Sequence, residues 1–248
     1  ADAAARFTHG VASGDPLSDR VILWTRVIPQ KTNDALTVFW QVATDQGFAR
    51  VVASGQTTAS AGSDYTVKVD VMGLQPDRRY FYRFNARGVR STTGTTKTLP
   101  DGLTTKFTMG VASCSNFPQG FFNAYRHMAE SDLDLVLHLG DYIYEYPEAE
   151  YANDYAREVL KRSVVPQHEV VALEDYRMRY GLYRTDPDLQ ALHQRHPFVC
   201  VWDDHELANN TWREGAENHN EGEGDFHQRI AAARQAYHEW MPIRTANE

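Results

Sequence analysis

The hydrophobic pattern changes character once along the chain. Over residues 7–98 it consists of short runs with β-type content: Val21–Val27, Leu36–Ala43, Tyr65–Val71 and Tyr80–Ala86. Leu36–Ala43 (LTVFWQVA) and Tyr80–Ala86 (YFYRFNA) are rich in the β-branched and aromatic residues that suit a pleated, half-buried surface. Turn formers separate the runs, at Ser13-Gly-Asp-Pro16, Gln75-Pro-Asp77 and Ser91–Gly94. Short strands at such spacing predict a β-sandwich.

Lys97–Lys106 (KTLPDGLTTK) reads as a linker, with Pro and Gly and no sustained apolar period. Beyond it come three short apolar runs, Phe107–Ser113, Asp134–Leu139 and Pro197–Trp202, too continuous for one-sided strands. Helical periodicity falls between and after them. It predicts helices over Gly120–Glu130 (apolar face Phe121, Ala124, Tyr125, Met128), Ala172–Tyr183, Asp188–His196 and Asp225–Met241, the last with Asp225 as N-cap. Strand, helix, strand, helices, strand is the order of a parallel sheet covered on both faces. The expected fold is therefore all-β over 1–100 followed by α/β over 106–248.

Composition narrows the function. Thirty-three acidic against 25 basic residues leave a net charge of −8, which argues against bulk nucleic-acid binding. An anionic substrate remains open, because a bound cation can reverse the local field. No apolar run approaches membrane-spanning length. Cys114 and Cys200 are too few for a disulfide scaffold, and whether they pair is open. The opening ADAAARF fits either a mature end left by signal-peptide removal or an arbitrary boundary.

The three apolar runs of the second half end in chemistry-bearing residues: Ser113-Cys-Ser-Asn116, Gly140-Asp-Tyr-Ile-Tyr-Glu145 and Asp203-Asp-His-Glu206. Ligands of open α/β sheets bind beyond the carboxyl ends of the strands, so Cys114, Asp141, Tyr144, Asp204 and His205 are expected to converge there. Asp141 can bridge two cations, or simply cap a turn. Tyr144 can supply a hard phenolate suited to trivalent iron, or pack in the core. Three carboxylates and an imidazole in four residues are costly unless solvated or metal-bound. Asp204 is a candidate ligand there, His205 a general acid or oxyanion stabiliser, and Asp203 and Glu206 could orient these groups or pair with Arg. Asn209 and Asn210 are within reach of a metal or a phosphate. Cys114 is a candidate thiolate ligand, a structural thiol or half of a disulfide; Cys200 reads as a buried thiol. His138, inside an apolar run, reads as a hydrogen-bonded core histidine, and His193 with His196 is only a weak zinc spacing. Metalloprotease, P-loop, α/β-hydrolase and dinucleotide signatures are absent.

Gly140-Asp-Tyr-Ile-Tyr-Glu145 and Trp202-Asp-Asp-His-Glu206 followed by Asn209-Asn210 resemble the PhoD-type alkaline phosphatases of the calcineurin-like metallophosphoesterase superfamily. Ser113-Cys-Ser115, Thr8–Pro16, Ile22–Arg26 and Ala236–Pro242 fit the same family. Leu74, Pro76 and Tyr80 match the tyrosine corner of fibronectin type III-like sandwiches. The resemblance implies a fibronectin III-like N-terminal domain followed by a metallophosphoesterase α/β sandwich. It implies hydrolysis of small phosphate monoesters or diesters, by in-line attack of an oxygen activated on Fe3+ and Ca2+. Cys114, Asp141 and Tyr144 would hold the iron, and Asp141 and Asp204 would reach calcium. Asn210 would lie near calcium or the phosphate, and His205 would assist the leaving group. A periplasmic or secreted location, by twin-arginine export, is implied as well.

The histidine motifs with which this superfamily completes its site on later strands are missing, and the family's catalytic domain is longer. The expectation is therefore an N-terminal portion holding half a site, with the remainder as a possible second fragment. Three function classes follow: a metal-dependent phosphoesterase, an inactive metal- or phosphate-binding fragment, and an adhesive module built on the β-sandwich.

Overall fold

The computed structural model describes residues 5–30 and 35–245. Residues 1–4, where the reading of the chain start falls, lie outside them. Two sheets face each other in the first hundred residues. One is antiparallel, in the order β10 (Gly94–Lys97), β8 (Arg79–Ala86), β5 (Leu36–Ala43), β6 (Val51–Ala59), with β9 (Val89–Arg90) added to β8. The other contains β2 (Val11–Gly14), β3 (Arg20–Arg26) and β7 (Thr66–Met72). A separate two-stranded ribbon pairs β1 (Ala5–Arg6) with β4 (Ile28–Pro29). Val38, Val42, Tyr80, Tyr82 and Phe84 meet Val11, Val21, Leu23 and Val71 in a shared interior. Tyr80 forms the expected corner: its hydroxyl accepts from the Gln75 backbone N–H at 2.9 Å.

The second of these sheets continues into the rest of the chain. Three parallel strands, β11 (Met109–Ala112), β12 (Leu135–His138) and β13 (Phe198–Cys200), extend it to the order β11-β12-β13-β2-β3-β7. The joint is the parallel pairing of β13 with β2 at Phe198 and Gly14. A Cβ on Gly14 would meet the Pro242 carbonyl oxygen at 2.0 Å and that of Phe198 at 2.8 Å, so only glycine allows this closeness. β3 is buried on both faces for the same reason. Val21 and Leu23 point into the sandwich, while Trp24 points into the helical layer. That layer comprises α1 (Asn123–Glu130), α2 (Asp154–Glu158), α3 (Leu173–Tyr183), α4 (Pro187–Arg195) and α5 (Phe226–Trp240).

Polar pins reinforce the junction. Trp24 Nε1 donates to the Glu239 carbonyl at 2.8 Å, and Trp240 Nε1 donates to Asp64 at 3.1 Å. Trp24 and Trp240 are both fully buried, with ring centroids 5.7 Å apart, and the Arg184 guanidinium lies 4.1 Å from the Trp24 ring centroid. Beyond α5, Arg244 makes a bidentate pair with Asp70 at 2.9 and 3.1 Å.

The structure corrects several expectations. β6 is an extra strand; its sequence, VVASGQTTA, is polar and largely exposed along an edge, so it carries little apolar signal. The linker is shorter than expected, because Gly94–Lys97 pairs with β8. α1 starts at Asn123, not Gly120, which leaves Phe121 outside the helix and 47% exposed. Its buried side chains are Tyr125 and Ala129, and Phe122 at the N-cap is buried too. The parallel strands are not covered on both faces. Met109 and Val111 are 51% and 58% exposed, and Leu139 and Val201 at the strand ends are exposed beside them.

Because the Trp24–Trp240 contact joins sandwich and helical layer in one interior, Trp240→Ala should cost about 3–5 kcal/mol. Calorimetry should show a single transition that moves as a whole. Independent melting of the two halves would contradict a shared core.

Candidate metal centre

The site begins where the parallel strands stop. Two residues beyond β12 comes Gly140, whose φ of +103° is outside the range other residues favour. A Cβ there would meet the Asp203 backbone nitrogen at 2.4 Å. Glycine thus lets the loop after β12 lie directly against the loop after β13. Cys114 and Asp141 follow β11 and β12 with φ of +56° and +53°, and Asn210 has +50°. Such left-handed residues cost about 1–3 kcal/mol each and persist only where their surroundings hold them. Here Cys114 N–H donates to the Gly140 carbonyl at 3.2 Å. The buried Glu206 carboxylate accepts from Tyr142 N–H at 2.6 Å and Asp203 N–H at 2.9 Å. Burial pushes Glu206 up to about 7, against the pull of those two donors.

These constraints bring Asp141, Asp204 and His205 together, each with a ligand atom within 4.8 Å of the others. Asp141 is buried, and its Oδ1 has no hydrogen-bonding partner. Its Oδ2 accepts from the Tyr144 hydroxyl at 3.2 Å. Burial raises the Asp141 carboxyl, opposed first by His205. Burial, then the Asp141 charge, keeps the Tyr144 phenol strongly protonated. The Cys114 thiol interacts with both Asp141 and Tyr144. Ser113 pulls the thiol down, but burial and Asp141 outweigh it and leave it above its ordinary value. Both cysteines are free thiols. An uncompensated carboxylate oxygen beside a second carboxylate, an imidazole, a phenol and a thiol fits a hard cation.

His205 is held from behind. Its Nδ1 lies 2.8 Å from Glu145, a fully buried carboxylate that also accepts from Asn209 N–H at 2.6 Å and Asn218 Nδ2 at 2.9 Å. An ionised carboxylate only accepts, so Nδ1 carries the proton and Nε2 faces Asp204, 4.0 Å away. Burial disfavours the imidazolium, but Glu145, Asp141 and Asp204 together outweigh it and raise the His205 pKa. The Tyr144 ring centroid lies 4.3 Å from that of His205.

Five of the six sequence candidates, Cys114, Asp141, Tyr144, Asp204 and His205, are thus neighbours. Asn210 joins them through its backbone, donating to Asp204 at 2.5 Å, while its side-chain amide is bound to Glu217. Glu145 had no assigned role in the sequence reading, whereas Glu206, expected to orient its neighbours or pair with Arg, binds two backbone N–H groups instead. The partners of Glu145, namely His205, Asn209 and Asn218, lie 60 or more positions away, and nothing local distinguishes it from other acidic residues. His138 is the buried, hydrogen-bonded histidine expected, with Tyr125 hydroxyl at 3.2 Å and Gly140 N–H at 3.3 Å. His193 is fully buried against Tyr142 hydroxyl and the Phe198 ring, away from any metal cluster among the described residues.

Comparison with known proteins places the chain in a family. The PhoD-like phosphatase family matches residues 109–248, and the N-terminal domain associated with it matches residues 1–100. Alkaline phosphatase D of Bacillus subtilis (strain 168) is 43% identical over 97% of this chain, which spans 42% of that protein's length. A solved structure of PhoD superimposes with a TM-score of 0.87 at 42% identity, covering 96% of this chain and 46% of the solved one. The chain belongs to the PhoD-like phosphatase family.

Proposed function

We propose that this chain carries the metal-binding and leaving-group side of a phosphoric ester hydrolase site acting on small phosphate monoesters or diesters. The observation that carries the reading is the convergence of Asp141, Asp204 and His205 around the buried, partnerless Oδ1 of Asp141. Family membership supports it. In this reading Cys114, Asp141 and Tyr144 hold Fe3+, and Asp141 and Asp204 reach Ca2+. When bound, such cations screen phosphate charge and activate water. His205, aimed by Glu145, donates a proton from Nε2 to the departing oxygen. Asn210 would reach the phosphate only after its amide leaves Glu217. The N-terminal sandwich is read as a fibronectin III-like scaffold over 1–100, supported by the Tyr80 corner, with the hydrolase portion over 106–248. Periplasmic or secreted residence belongs to the same reading.

A second reading, an inactive metal-binding half-site, is favoured by the bare apolar face at Met109, Val111, Leu139 and Val201. In that reading, further residues packed on this face complete the site.

Three outcomes test these readings. After equilibration with Fe3+ and Ca2+ and desalting, elemental mass spectrometry should find at least one retained metal per chain, and Asp141→Asn should lose it. Equal trace retention in both proteins would contradict a metal centre. With metal bound, His205→Ala should lower turnover by about 10²-fold or more on alkyl phosphates. It should lower it far less on nitrophenyl esters, whose leaving group needs no proton. Equal losses on both would refute the leaving-group role, and retained metal without wild-type turnover would favour the half-site. Glu145→Ala, which strands the Asn209 N–H and frees His205, should cost about 2–4 kcal/mol in urea unfolding. An unchanged midpoint would show that Glu145 holds nothing.

A further inference from the structure

The outer face of the antiparallel N-terminal sheet carries a groove of about 610 Å³, formed by β5, β6, β8 and β9. It shares no residue with the metal centre. Strand register sets Phe39 opposite both Gln56 and Asn85, Gln41 opposite Arg83, and Arg90 opposite Asn85, so these side chains share one face. Phe39 is 50% exposed at the centre of this polar surround.

Its electrostatics are unusual for a chain of net charge −8. None of the lining residues is acidic. Arg83 is fixed in place: Nε and Nη2 both donate to Gln41 Oε1, at 3.0 and 2.8 Å, and the guanidinium lies 3.8 Å from the Phe48 ring centroid. This holds one edge of the fork and leaves Nη1 without an acceptor. Arg90 has no ion-pair or hydrogen-bonding partner among the described residues, and its charge adds to desolvation in depressing the Arg83 pKa. Two like charges on one sheet face, one of them held by Gln41, cost energy in the free protein. They also form a preorganised anion clamp.

We propose that this face binds a phosphorylated sugar, with the phosphate on Arg83 and Arg90 and the ring on Phe39. A phosphomonoester near neutral pH carries about −1.5 to −2, which matches the two guanidinium charges. The Gln56 and Asn85 amides offer the mixed donors and acceptors that sugar hydroxyls require, and Phe39 offers a flat apolar surface. Single-stranded nucleic acid fits less well, since it needs a succession of stacking rings along a basic track. Here there is one exposed ring on an acidic protein.

The test is titration of metal-free protein with glucose 6-phosphate, followed by amide chemical shifts. Saturable binding with Kd of ~1 mM or tighter should perturb β5, β8 and β9. Arg83→Ala and Arg90→Ala should each weaken it by about 10-fold or more. Phe39→Ala should weaken it while leaving binding of inorganic phosphate unchanged, and Asp141→Asn should bind like the wild type. The proposal is overturned by unchanged binding in the Arg83→Ala/Arg90→Ala double variant. It is also overturned if inorganic phosphate, glucose or glucuronate binds as tightly as the sugar phosphate, or if a single-stranded oligonucleotide binds tighter. Loss of binding in Asp141→Asn alone would assign the ligand to the metal centre and likewise overturn it.

Discussion

One buried carboxylate, Glu206, staples the ends of two strands that are separate in sequence. It accepts from Asp203 N–H within its own loop and from the buried Tyr142 N–H across the gap, so the loops after β12 and β13 cannot part without stranding that buried donor. An unmet buried donor costs about 1–3 kcal/mol, comparable to the strain of a left-handed Asp141. The staple, together with Gly140 packed on Asp203, is what keeps the Asp141 and Asp204 carboxylates together despite their repulsion. Glu145 does the same for His205 from the opposite side.

The same logic of close joints extends to the whole molecule. The sandwich is not an appendage, because its β2–β3–β7 sheet is the far half of the sheet that carries the candidate metal centre. Strand ends placed by that sheet inherit its rigidity, and Trp24 with Trp240 locks the helical layer onto it. At the other end the sheet stops abruptly. The exposed Met109 and Val111 on the last strand leave one flank of the centre open.

Much of this was legible in the sequence, for physical reasons. β5 and β8 show their composition because each has one face in the sandwich interior. The strand-end residues were legible because a carboxylate directly after an apolar run has no place in the core. β6 was invisible because an exposed edge strand needs no apolar alternation. Glu145 was invisible because His205, Asn209 and Asn218 are brought to it only by the fold. The shared sheet went unread, although Val-Ile-Leu-Trp in β3 is apolar on both faces, where a strand of a free-standing sandwich needs only one apolar face.

The most direct measurement is an anomalous-difference map from crystals of this chain equilibrated with iron. The account predicts a peak among Cys114, Asp141 and Tyr144, within about 2.0–2.5 Å of a carboxylate oxygen of Asp141. It also predicts that the Tyr144 hydroxyl no longer donates to Asp141. A map with no peak there at full soaking, or with iron bound only by surface histidines, would contradict the claim that these strand ends are built to hold a cation.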